Sequence, residues 1–85
     1  MSQWFVYILR CRNESLYTGI TNNLEVRVAQ HQSGRGAKYT RAFRPVQLVY
    51  WKAMRTPTHA RQREAQIKGM NKRAKEKLVK DFGMK

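Results

Sequence analysis

Five carboxylates, Glu14, Glu25, Glu64, Glu76 and Asp81, stand against eighteen lysines and arginines in this chain of 85 residues. Any carboxylate base or ligand for a hard cation must come from that short set. Glu14 falls in a polar turn, Glu25 completes a helix cap, Glu76 stands among Lys72, Lys75, Lys77 and Lys80, and Asp81 lies near the C-terminus. Glu64 is left. On a helix it follows Ala60 by four residues and precedes Ile67 by three, so it lies beside the small and apolar positions rather than on the fully solvated face. Two readings are open: an i,i+4 pair with Lys68, worth ~0.3–0.5 kcal/mol, or a ligand for Mg²⁺ or Mn²⁺, cations that favour carboxylate oxygen and keep most of their waters.

Arg27 and His31 are spaced four apart, hence on one face of a helix whose core side is marked by Leu24 and Val28. An arginine there can stabilise charge developing on a phosphate, and a histidine can hydrogen-bond a phosphate oxygen or a leaving group. The plainer reading is a surface arginine beside a half-buried histidine. Tyr7 and Tyr17 lie on neighbouring strands. They share a face only where opposed residue numbers sum to an even value, and core packing is their ordinary use.

These residues need elements to hold them. Residues 4–10 carry apolar side chains on both alternating faces, Phe5, Tyr7 and Leu9 against Trp4, Val6 and Ile8, which predicts a central strand covered on both sides. Arg12-Asn13-Glu14-Ser15 is turn-rich, and Leu16–Ile20 makes a second strand of a hairpin. Asn22 with Glu25 has capping-box spacing and opens a helix from 23 to 33. Residues 34–41 read as a glycine-rich basic loop, ended by Pro45, and Val46–Trp51 as a third strand. Thr56-Pro57 starts a helix reaching Lys68 and Gly69, and Asn71 caps a last one ending near Phe82-Gly83. The expected fold is α+β: one domain over residues 1–85, a small three-stranded antiparallel sheet packed with helices in the order β-β-α-β-α-α.

A formal charge of +13 calls for a polyanionic partner, nucleic acid first, because bases that bind backbone phosphates release counterions. Arg35, Lys38, Arg41 and Arg44 in the loop are the expected phosphate contacts, with the lysine-rich last helix as a second patch. A membrane surface fits poorly, since that helix offers only Leu78, Val79 and Phe82 opposite its bases. The apolar run from Trp4 to Leu9 is far short of the ~20 residues that span a bilayer. The lone Cys11 excludes an internal disulfide and a Cys-x-x-Cys pair, in keeping with a reducing cytoplasm.

Taken in order, Val6-Tyr7, Tyr17-Thr18-Gly19, Arg27 with His31, Gly36-Ala37-Lys38-Tyr39-Thr40, and Glu64 with Ile67-Lys68 resemble the GIY-YIG nuclease superfamily, and within it the small stand-alone bacterial branch. The resemblance runs from about Trp4 to Leu78. Phe5 stands where the name-giving glycine would be, Val6 replaces isoleucine and Thr18 replaces the middle residue of the second motif, while both tyrosines and Gly19 remain. These variants resemble the stand-alone branch rather than homing endonucleases. The resemblance implies a metal-dependent endonuclease that hydrolyses phosphodiester bonds, selective for structure rather than sequence, acting on DNA ahead of RNA, in repair or recombination. It implies Tyr17 as general base with Tyr7 positioning the water or sharing the role, Glu64 holding a single Mg²⁺ or Mn²⁺, Arg27 on the scissile phosphate and His31 supporting it or the water. Tyr39 and Lys68 would assist in binding. All five principal residues must then converge on one concave surface. The competing readings are a non-catalytic nucleic-acid-binding module and a subunit that acts only with a protein partner.

Overall fold

The computed structural model describes residues 3–83. Strand β1 (Trp4–Arg10) pairs antiparallel with β2 (Leu16–Thr21) on one side and with β3 (Gln47–Met54) on the other, giving the sheet order β2-β1-β3. Helix α1 (Leu24–Gln32) follows β2, a five-residue helix α2 (Lys38–Ala42) precedes β3, and α3 (Pro57–Lys68) and α4 (Lys72–Gly83) complete the chain. The order is β-β-α-β-α-α, with α2 as a single added turn.

That turn corrects the expectation of a loop over 34–41. The Arg41 amide donates to the Ala37 carbonyl at 3.0 Å, and Thr40 is fully buried while Tyr39 beside it stays exposed. One helical turn lets adjacent residues face inward and outward in this way. The start of α1 is also shifted by one residue. Asn23, not Asn22, is the cap, its Oδ1 accepting from the Val26 amide at 3.2 Å, because the Thr21 hydroxyl bonds the Asn23 backbone and fixes the turn there. Thr56 and Asn71 cap α3 and α4 as expected, accepting from the His59 and Ala74 amides. Strand β3 extends to Met54, past the expected end at Trp51.

Because side chains alternate along β1, its two faces feed two different cores. Val6 and Ile8 join Tyr50 and Ile67 under α3 and α4, with Leu78, Val79 and Phe82 packed against them. Tyr7, Leu9 and Cys11 join Val46 on the other face, where Leu24, Val28 and Phe43 cover them from α1 and the α2 turn. The doubly apolar strand is thus a middle layer, and the hairpin register decides what projects from each face. Tyr7 opposes Gly19 and Leu9 opposes Tyr17, an even sum, so both tyrosines project toward α1.

Candidate active site

Tyr7 reaches the open edge of the sheet by crossing Gly19. A Cβ added to Gly19 would stand 2.6 Å from the Tyr7 hydroxyl oxygen, so only glycine admits the ring. Beyond that crossing the phenol oxygen lies 2.9 Å from His31 Nε2, and His31 Nδ1 lies 2.6 Å from Thr40 Oγ1. Thr40 Oγ1 in turn donates to the Ala37 carbonyl at 3.0 Å. His31 and Thr40 are completely buried and Tyr7 is 1% exposed, so this is a buried chain of hydrogen bonds running from the loop to the sheet edge. His31 is not the half-buried residue expected of a surface pair. Gly36 closes the loop over it: a Cβ there would overlap His31 Nδ1 and press on its Cα.

Burial holds the His31 imidazole at about 4, with the Arg27 guanidinium pushing in the same direction, so the ring is neutral at physiological pH. Burial also raises the Tyr7 phenol above its ordinary 10; Arg27 beside it pulls the other way, and Tyr17 and Glu64 push weakly upward. Arg27 itself is half-buried and donates to Gln30 Oε1 at 3.0 Å. Tyr17 packs its ring against His31 at 5.3 Å between centroids and, unlike Tyr7, keeps part of its surface open. It lines a cleft of about 260 Å³ with Leu16, Thr18, Tyr39, Lys68 and Lys75.

The helices that carry Arg27 and Glu64 pack on opposite faces of the sheet. Because β2 is an edge strand, side chains of the two layers can meet around it. The cleft shows such a meeting, Tyr17 and Tyr39 from one layer facing Lys68 and Lys75 from the other. Glu64 is partly exposed, and its Oε2 accepts from Lys68 Nζ at 3.2 Å, so the i,i+4 pair, one of the two open readings, is formed. Three of the other four carboxylates are engaged elsewhere: Glu76 is doubly hydrogen-bonded by Arg10, Asp81 pairs with Lys77, and Glu14 sits in the turn at φ 67°. Glu25 stands exposed in the first turn of α1 and does not complete the expected cap, which has moved to Asn23. Among the described residues no three His, Cys, Asp or Glu gather into a metal cluster. A partly open single carboxylate fits a hard cation whose remaining ligands are waters and a substrate oxygen.

The loop bases divide. Lys38 and Arg41 are exposed on α2, and Arg35 is exposed with its Nε bonded to Ser33 Oγ. Arg44 donates to the carbonyls of Arg41 and Gln32, so it holds the loop closed. Tyr39 is fixed by donating to Ser15 Oγ at 2.7 Å and by packing on Phe43. Sequence reasoning assigned no role to Thr40, although it stands in the quoted loop motif, and read the loop glycines as allowing close approach of phosphate. His31 is joined to Thr40 across the intervening loop, and no periodicity links the two.

A family model described as the GIY-YIG catalytic domain matches residues 3–77. Among similar proteins, the UPF0213 protein NP_0776A of Natronomonas pharaonis is 49% identical over 77 residues, covering 91% of each chain. The UPF0213 protein SH2523 of Staphylococcus haemolyticus is 43% identical over 81 residues, covering 95% of this chain and 99% of its own. The solution NMR structure of the UPF0213 protein BH0048 from Bacillus halodurans superposes with a TM-score of 0.60 at 41% identity, covering 92% of this chain and 83% of that one. That of the protein EF2693 from E. faecalis gives 0.66 at 33% identity, covering 100% and 91%. The match spans the hairpin, the buried histidine, the loop and Glu64, and the chain belongs to the GIY-YIG family of small stand-alone proteins.

Proposed function

We propose that the protein is a metal-dependent endonuclease that hydrolyses nucleic-acid phosphodiester bonds. What supports this reading is that two tyrosines and a buried neutral histidine lie together at one sheet edge with Arg27 beside them, in a protein of charge +13. Membership of a family defined by a catalytic domain points the same way.

Arg27, a permanent cation at the rim, takes the scissile phosphate and offsets the charge that grows on it. Tyr17, the more open phenol, acts as the phenolate: it gives its own proton to solvent and then takes the proton of the attacking water, while Tyr7 orients that water from the buried end of the site. His31 fixes Tyr7; as a base it is too weak to draw the phenol proton, its value of about 4 lying far below that of the phenol. Glu64 would hold one Mg²⁺ or Mn²⁺, which when bound supplies Lewis acidity to the leaving 3′ oxygen. Arg35, Lys38 and Arg41 with Tyr39, Lys68 and Lys75 bind backbone, so recognition follows the shape of the nucleic acid more than its bases. DNA is the preferred substrate over RNA, branched or nicked intermediates of repair or recombination the preferred structures, and a protein partner can target the chain to them.

The test is cleavage of branched, nicked and intact DNA by the isolated chain with Mg²⁺, with Mn²⁺ and with a chelator. Metal-dependent cutting of the discontinuous substrates is expected. The Glu64–Lys68 pair at 3.2 Å favours a second reading, a binding module in which Glu64 is only a helix-face partner. Binding without cutting under every metal condition would establish that reading instead.

A further inference from the structure

The hydrogen-bonded chain Ala37–Thr40–His31–Tyr7 admits two self-consistent proton arrangements. In the first, Thr40 donates to the Ala37 carbonyl and accepts from His31 Nδ1–H, while the bare Nε2 accepts from the Tyr7 hydroxyl. In the second the two hydrogens at the imidazole are reversed and the Thr40 bond to the Ala37 carbonyl is given up. Thr40 then donates to Nδ1, Nε2–H donates to the Tyr7 oxygen, and the phenol proton points out toward the site. Relative acidity separates them. A phenol with a pKa of about 10 is a stronger donor and a poorer acceptor than an aliphatic hydroxyl, and an imidazole nitrogen is the strongest neutral acceptor among these groups. Phenol to imidazole is therefore the favourable pairing. The proton left on Thr40 already has its acceptor, the Ala37 carbonyl at 3.0 Å. Gly36 brings the loop against the ring edge that Thr40 binds.

We propose that Thr40 is a positioning residue for the reaction: its hydroxyl holds His31 as the Nδ1–H tautomer, so that Tyr7 directs its one proton inward and presents its oxygen to the site only as an acceptor. A group that cannot donate fixes the direction of whatever donates to it. Arg27, which only donates, meets an acceptor there, and so does a water that must turn a lone pair toward phosphorus. With the tautomer reversed, the phenol would present a proton to the site and turn that water the wrong way. The consequence for rate rests on the nuclease reading; the tautomer does not.

Ring ¹⁵N–¹H correlation spectra of His31 at neutral pH report the tautomer without reference to cleavage, and the exposed His59 serves as an internal standard. The parent is expected to show Nδ1 protonated. Thr40→Val, nearly isosteric but without the hydroxyl, is expected to shift His31 toward Nε2–H and to lower cleavage on the order of a hundredfold with nucleic-acid affinity unchanged. Thr40→Ser should restore both. Thr40→Ala carries the same expectation if the valine variant does not fold. Three results overturn the proposal: a parent spectrum with Nε2 protonated, a hydroxyl-free variant that keeps Nδ1–H, or a reversed tautomer with the parent rate of cleavage. A parent that binds but never cuts removes the nuclease reading, and the spectra of the parent and the variant still decide whether Thr40 sets the tautomer.

Discussion

The two faces of strand β1 are built from the same seven residues and are put to different uses. Toward α3 and α4 the strand presents Val6 and Ile8 to an aliphatic and aromatic cluster. Toward α1 it presents Tyr7, whose hydroxyl enters a buried polar chain with His31 and Thr40. An apolar core tolerates repacking if its volume is kept, whereas a buried polar chain fails when any member loses its partner. The α3 and α4 side should therefore set stability, and the α1 side should set the geometry of the reactive edge. Glu64 is the exception, since it stands on the stabilising side and is proposed to hold the metal.

The largest separation between the faces should come from Glu64→Gln. On the proposed function it removes the charge that would attract the cation, which is worth several kcal/mol of transition-state stabilisation, so metal-dependent cleavage should fall by more than about a hundredfold. The lost pair with Lys68 should cost only ~0.3–0.5 kcal/mol. Cleavage, thermal melting and Mn²⁺ binding measured on one sample test this, and cutting at the parent rate would rule out Glu64 as the ligand.

Ile67→Ala should have the next effect, in stability. The side chain is fully buried in the α3 cluster, and its truncation should cost about 2–5 kcal/mol in urea denaturation. Tyr7→Phe on the opposite face should cost less, about 1–3 kcal/mol, by leaving His31 Nε2 without its partner, and yet damage cleavage more. If Tyr7→Phe proved the more destabilising of the two, the division between the faces would not hold.

Acid should distinguish the faces by the pH at which each weakens. The folded His31 imidazole lies at about 4 against an ordinary 6.5, so between those values the unfolded chain binds a proton that the folded chain does not, and stability falls as pH drops from about 6.5 to about 4. Glu76 is held at about 2 against an ordinary 4.5, chiefly by its hydrogen bonds from Arg10, so its contribution is present above 4.5 and is lost as pH falls from there toward 2. Melting temperature across that range should decline in two stages, the lower one missing from Glu76→Gln. A single stage confined below pH 4.5 would show that His31 can be protonated in the folded chain without cost.

The smallest effect belongs to Lys77→Ala. Its exposed pair with Asp81, at 3.4 Å, should contribute no more than ~0.5 kcal/mol, and a melt shift larger than that would mean that α4 depends on surface charge rather than on Leu78, Val79 and Phe82.

Much of this arrangement was legible before any coordinates. The doubly apolar run at 4–10 announced a covered central strand, Thr56-Pro57 and Asn71 announced the starts of α3 and α4, and the scarcity of acids singled out Glu64. The α2 turn was not legible, because Gly34-Arg35-Gly36 reads as loop and the helical turn is enforced by Thr40 reaching His31. Arg44 was read as a phosphate contact, and its hydrogen bonds to two backbone carbonyls are a second use that composition does not announce.

The sequence by itself determined the charge, the periodicities and hence the elements, and which few side chains had the chemistry to act, since these depend on residue type and local spacing. Only the tertiary structure decided which of those side chains meet. The even hairpin register put Tyr7 and Tyr17 on one face, Gly19 let the Tyr7 ring cross to the edge, and the exposed edge of β2 let Tyr17 and Tyr39 of one layer meet Lys68 and Lys75 of the other. The physical reason is that a one-residue change of register or a single Cβ redirects a side chain by several ångströms, and neither leaves a signal in the local pattern of apolar and polar residues.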